Sequence, residues 1–123
     1  MARVVICDDD VQVARFLQLA LRDHRYEIEM VYTAAACLAA CTRDWPHLLL
    51  TDLNLPDMDG CALIRQLRAA HPTLPIMAIS GAGDEMLQAA RRSGADWVMC
   101  KPVAPGVLQE AAAYLLATHT EPA

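Results

Sequence analysis

The chain is 123 residues long, carries 15 acidic against 10 basic side chains and is 55% hydrophobic by letter. At roughly 100–200 residues per domain that is one domain, 1–123, able to bury a core without a disulfide or metal staple. The net charge of −5 speaks against a nucleic-acid surface, and no apolar run is long enough to span a membrane. The start Met1-Ala2-Arg3-Val4-Val5-Ile6 meets charge at Asp8 and is no secretory signal. With 22 alanines in the hydrophobic total, the composition favours helices packed on a sheet over an all-β sandwich.

Short apolar, partly β-branched segments alternate with longer helical ones. The predicted strands are β1 (Arg3–Cys7), β2 (Ile28–Tyr32), β3 (His47–Thr51), β4 (Pro75–Ile79) and β5 (Asp96–Cys100). Between and after them, Val13, Phe16, Leu17, Ala20 and Leu21 give a helical stripe for α1. Leu63, Ile64, Leu67 and Ala70 do so for α3, and Val107, Leu108, Ala111 and Leu115 for α5, within Gly106–Thr118. Thr33–Cys41 (α2) and Asp84–Arg92 (α4) are Ala-rich helical stretches, and the prolines and glycines fall mainly between segments. Strands alternating with helices predict an α/β fold, a doubly wound parallel sheet of five strands with helices on both faces. The common order is then 2-1-3-4-5, with ligands beyond the carboxyl ends of the strands, where the chain reverses direction between β1 and β3.

The residues at those carboxyl ends carry the chemistry. Asp8, Asp9 and Asp10 follow β1, Asp52 ends β3, Ser80 and Gly81 end β4, and Lys101 and Pro102 end β5. Taken singly, each has an ordinary structural reading as a helix cap, a turn or a loop. Together, in an order that makes them neighbours, they form a rim of crowded carboxylates with a hydroxyl and an ammonium alongside. Crowded carboxylates call for a neutralising cation, and a hard divalent ion such as Mg²⁺ suits oxygen ligands. Ser80 and Lys101 are donors for a phosphoryl oxygen. No Gly-rich phosphate loop follows β1, so no bound nucleotide or flavin is expected.

The five cysteines, Cys7, Cys37, Cys41, Cys61 and Cys100, are odd in number and lack paired ligand spacing. They read as small buried apolar residues in a reducing, cytoplasmic setting. The four histidines are scattered, with none spaced as a ligand pair.

Along essentially its whole length the sequence resembles the receiver domains of bacterial response regulators, which have the CheY-like, flavodoxin-like (βα)5 fold. The resemblance rests on Val4-Val5-Ile6-Cys7-Asp8-Asp9-Asp10, on Leu50-Thr51-Asp52-Leu53-Asn54-Leu55-Pro56-Asp57-Met58-Asp59-Gly60, on Ala78-Ile79-Ser80-Gly81 and on Gly94 through Pro102. It implies that Asp52 accepts a phosphoryl group from a phosphohistidine, that Asp9 binds Mg²⁺ directly and Asp8 through water, and that Asn54 adds its backbone carbonyl. Asp52 itself is also a metal ligand in this scheme, and Mn²⁺ is an acceptable substitute. Ser80 and Lys101 would contact phosphoryl oxygens, with a cis Lys101–Pro102 bond. Asp57 and Asp59 would shape the turn and cap α3, and Asp10 would be no standard ligand.

Two positions depart from the family pattern. Val98 stands where an aromatic switch residue is usual, with Trp97 next to it pointing to the opposite face. His47 replaces a common Asp and reads as neutral. The implied partners are a sensor histidine kinase or phosphotransfer protein docking near α1 (Arg15, Gln18, Arg22), and an output protein or domain. A dimer through α4, β5 and α5 is a further expectation, with no direct nucleic-acid or membrane contact. The polar tail from Thr118 leaves no room for an effector, so output would lie in another chain or in further sequence. Self-phosphorylation and self-dephosphorylation at Asp52 would be the only turnover. The readings set against this one are a phosphorylation-independent interaction module and a haloacid-dehalogenase-like phosphatase, the latter suggested by Asp8-x-Asp10 after an apolar strand.

Overall fold

A computed structural model describes residues 1–22 and 25–118 of the chain. The polar tail from His119 onward and His24 lie outside the described residues. The elements run β1 (Ala2–Cys7), α1 (Val11–Leu21), β2 (Tyr26–Val31), α2 (Ala34–Arg43), β3 (Leu48–Asp52), α3 (Gly60–Ala70), β4 (Ile76–Ser80), α4 (Asp84–Ser93), β5 (Trp97–Cys100) and α5 (Pro105–Thr118). The strands form one parallel sheet in the order β2-β1-β3-β4-β5, as the alternation predicts.

Side chains alternate across the sheet and so build two cores. Val5, Cys7, Leu49, Ile76 and Ala78 face α2, α3 and α4, where Cys37, Cys41, Leu63, Ile64 and Leu67 cover them. Val4, Ile6, Leu48, Leu50, Met77 and Ile79 face α1 and α5, under Ala14, Leu17, Leu21, Leu108, Ala111 and Leu115. Every residue of β3 and β4 is buried, which explains their unbroken apolar runs.

The helix starts are written in side-chain oxygens. Asp10 caps α1 by accepting from the Gln12 and Val13 N–H groups, Thr33 caps α2 through Ala36, and Asp59 caps α3 through Cys61. α4 carries Asp84 and Glu85 in its first turn and Arg91 and Arg92 in its last, matching the helix dipole.

Several local readings are corrected. β2 begins at Tyr26 and ends at Val31, earlier than the predicted Ile28–Tyr32. On α1 the column on the sheet is Ala14, Leu17 and Leu21, and Phe16 is turned outward, 42% exposed. Val107 is likewise exposed and Leu108 takes the inward place. In both helices two adjacent apolar columns compete, and spacing alone does not say which one meets the sheet. Cys100 is exposed, whereas the other four cysteines are buried and all five are free. His47 is not neutral: its Nδ1 accepts the Arg3 N–H at 2.9 Å, extending the β1–β3 pairing by one bond.

Gly60 is the tightest backbone approach. It donates its N–H to the Leu53 carbonyl at 3.0 Å, and a Cβ there would lie 2.4 Å from Leu53 Cα. Gly60→Ala must therefore move the loop that follows Asp52. It is expected to destabilise the fold by about 1–3 kcal/mol, the scale of overpacking. Urea unfolding checks this, and an unchanged midpoint would contradict the close approach.

Candidate functional site

Strand register brings the rim residues together. Cys7 pairs with Thr51, so the residues that follow them, Asp8 and Asp52, emerge side by side. Ser80 pairs with Cys100, which places Lys101 just beyond the end of β4. The Lys101 N–H also donates to the Ser80 carbonyl, and the Lys101–Pro102 bond is cis.

Asp8 and Asp52 are buried, at 1% and 5% exposure. Each is held in the same two-sided way. Oδ1 of Asp8 accepts the Asp10 N–H at 2.9 Å, and Oδ1 of Asp52 accepts the Leu53 and Asn54 N–H groups at 2.8 and 3.3 Å. Both Oδ2 atoms take a hydrogen bond from one group, the Lys101 ammonium, at 3.1 Å from Asp8 and 3.2 Å from Asp52. Asp9 remains exposed beside them, and ligand atoms of Asp8, Asp9 and Asp52 lie within 4.8 Å of one another. Among the described residues these three form the single carboxylate, imidazole or thiol group dense enough for a metal. The donor set is all hard oxygen, which suits Mg²⁺ or Mn²⁺.

One ammonium does not balance two buried carboxylates. Burial pushes the Asp8 carboxyl above its ordinary range, and the Asp52 charge adds to this, while the Asp10 N–H and Lys101 work against it. Burial alone would lower the Lys101 ammonium, but its bonds to Asp8 and its attraction to Asp8 and Asp52 outweigh that and raise it.

A cleft of about 520 Å³ opens over Asp52, walled by Asn54, Ser80, Ala82, Met86 and Lys101. The Ser80 hydroxyl, 2% exposed, accepts the Ala82 N–H at 3.0 Å, which leaves its proton to be donated. Asp10 caps α1 and lies outside the carboxylate group. Asp59 caps α3 as expected, but Asp57 does not: its carboxylate takes the first two N–H groups of α2, from Ala34 and Ala35, at 2.8 and 2.9 Å. No sequence signal pointed to that contact, because it joins segments more than twenty residues apart. Met86 lies on the cleft wall, a place that a methionine on an amphipathic helix does not signal. Val98 faces the α2–α4 core and Trp97 the other face, where its ring meets Tyr114 with centroids 6.0 Å apart.

Residues 4–113 match the family model for the response regulator receiver domain. The chain belongs to that family. It is 37% identical to the KDP operon transcriptional regulatory protein KdpE of Escherichia coli over 98% of this chain and 53% of that protein. It is 31% identical to the C4-dicarboxylate transport regulator DctD of Rhizobium meliloti over 89% of this chain, and spans 24% of that relative. A CheY-like receiver domain from Methanospirillum hungatei superposes with a TM-score of 0.91 at 29% identity, over 97% of this chain and 96% of that one. The protein thus has the CheY-like fold and is a receiver domain of the two-component response-regulator class. No helix among the described residues is long and apolar enough to cross a membrane.

The charge imbalance has a measurable sign. Asp8 holds its proton above 3.8 in the fold, so between that ordinary value and its raised one the folded chain binds more protons than the unfolded chain. Stability from this group therefore falls as pH rises through that window and stays reduced above it. Asp8→Asn is expected to raise the urea midpoint of the metal-free protein at neutral pH, with the gain shrinking as pH falls into the ordinary carboxylate range. An unchanged or lower midpoint at neutral pH contradicts it.

Proposed function

We propose that this receiver domain accepts a phosphoryl group on Asp52 from a phosphohistidine, in a Mg²⁺-dependent step, and thereby switches partner binding. The observation that carries the reading is the Lys101 ammonium shared between Asp8 and Asp52, with the Ser80 hydroxyl across the cleft.

Mg²⁺, or Mn²⁺ in its place, would be held by Asp9, Asp52 and the Asn54 backbone carbonyl, with Asp8 acting through water; when bound it supplies positive charge for the phosphoryl oxygens. The N–H groups of Leu53 and Asn54 orient the Asp52 carboxylate, and burial keeps bulk water from its flanks. One carboxylate oxygen of Asp52 attacks phosphorus in line; the O–P bond forms as the P–N bond breaks and the imidazole leaves. Lys101 then exchanges a carboxylate oxygen for a phosphoryl oxygen, and Ser80 donates its proton to another. Water attacking the same phosphorus reverses the state, so no separate substrate is turned over.

Beside the site, Val13, Phe16, Leu17, Pro102 and Val103 line an apolar groove of about 500 Å³ that reaches Lys101. Its position supports docking of a histidine kinase or phosphotransfer protein on α1, with Arg15, Gln18 and Arg22 as polar contacts. Exposed Val107 and Tyr114 support an output or dimer contact on the α4, β5 and α5 face. With Val98 in place of an aromatic, the switch runs through Ser80 and its loop. Five free cysteines suit a cytoplasmic, reducing location.

Incubation with acetyl phosphate and Mg²⁺, followed by intact mass, is expected to show one added phosphoryl group. EDTA and Asp52→Asn should each abolish it, and Lys101→Gln should slow the initial rate about 10²–10³-fold. No gain with several donors would instead give a phosphorylation-independent interaction module. Steady hydrolysis of a phosphomonoester would give a phosphatase.

A further inference from the structure

We propose that Asp57 is a positioning residue for phosphoryl transfer, holding the loop that presents Asp52 and Asn54 by clamping it to the start of α2. The proposal rests on the phosphoryl-transfer reading above and concerns a residue outside both the metal-sized carboxylate group and the cleft lining.

The first turn of α2 contains no acidic residue. The first N–H groups of any helix lack partners within it. In α2 the Thr33 hydroxyl serves Ala36 at 3.1 Å, and the Ala34 and Ala35 N–H groups donate to separate oxygens of Asp57. A carboxylate at a helix N-terminus is also favoured by the helix dipole. These bonds hold the Asp57 carboxyl below its ordinary range although it is open to solvent.

The loop between β3 and α3 is tied at its base by the bonds from Leu53 and Asn54 to Asp52, by the Gly60 to Leu53 bond, and by the Asn54–Asp59 bridge. Asp57 ties the tip of the same loop to a different helix. Removing that tie leaves Asp52 in place at the end of buried β3, but the base bonds of Leu53 and Asn54 then hold the loop without support from α2 and open more often. Asn54 is the base residue that leads into the tip, so it is the first to loosen and the direction of its carbonyl loosens with it. The consequence falls on cation affinity more than on the reactivity of Asp52.

Asp57→Ala and Asp57→Asn separate this from a purely structural cap. Amide hydrogen exchange, measured without metal or phosphodonor, should quicken in Asp57→Ala at Ala34 and Ala35 and also at Leu53 and Asn54. The Mg²⁺ concentration giving half-maximal phosphorylation by acetyl phosphate should rise about tenfold, the scale for partners that orient metal ligands, with the rate at saturating Mg²⁺ unchanged. Asp57→Asn, which keeps one carbonyl acceptor, should fall between wild type and Asp57→Ala in both readouts. Faster exchange confined to Ala34 and Ala35, with the Mg²⁺ dependence unmoved, would reduce Asp57 to a cap of α2 and overturn the proposal. Unchanged exchange at all four amides would also overturn it. If the wild type takes up no phosphoryl group, the phosphoryl-transfer reading fails, and exchange at Leu53 and Asn54 still decides whether Asp57 positions the loop.

Discussion

The Lys101 ammonium, bonded at once to two buried carboxylates, is the contact on which the rest of the structure depends. Asp8 and Asp52 are brought together by the register of β1 against β3, and neither is free to turn away because each has its other oxygen tied to the backbone. A single positive charge is too little for the pair, and exposed Asp9 adds a third negative charge. The site is thus built with an electrostatic debt that burial enlarges, as the upward push on Asp8 shows. In the proposed function a cation would settle that debt, and a dianionic phosphoryl group would shift it again. A two-state response needs such a differential interaction.

The remainder of the fold holds this arrangement still. Fully buried β3 and β4 carry Asp52 and Ser80 at their ends, so the carboxylate and the hydroxyl sit on the most deeply buried part of the sheet. Helix caps then fix the loops around them. Asp10 belongs to the acidic run yet serves α1, and Asp59 serves α3. Asp57 reaches further and joins the loop that follows Asp52 to α2. The acidic residues of this rim therefore divide between charge for the site and caps for its supports.

Fold class and strand order were legible in the sequence because buried parallel strands write themselves as unbroken apolar runs such as Leu48-Leu49-Leu50, and the right-handed crossover rule leaves few orders to choose from. The rim was legible for the same reason: once the order is known, Asp8, Asp52, Ser80 and Lys101 must be neighbours. Facing was harder to read. Phe16 and Val107 satisfy helical spacing as well as their inward neighbours do, and only packing against the sheet decides between them. Long-range side-chain to backbone bonds left no trace at all. Asp57 reads as a turn residue until its distance to Ala34 is known, and His47 reads as neutral until Arg3 is placed beside it. Val98 was visible as a departure from the usual aromatic, but what it packs against was not a matter of pattern.

In the proposed function the shared ammonium and the Ser80 loop are poised for a phosphoryl group on Asp52. Titrating beryllium fluoride, a non-reacting mimic of that group, with Mg²⁺ into ¹⁵N-labelled protein tests it most directly. Saturable shifts of the Leu53, Ala82 and Lys101 amides are expected, and they should vanish in Asp52→Asn. Binding that persists in Asp52→Asn, or saturation without any shift at Ala82 and Lys101, would contradict it.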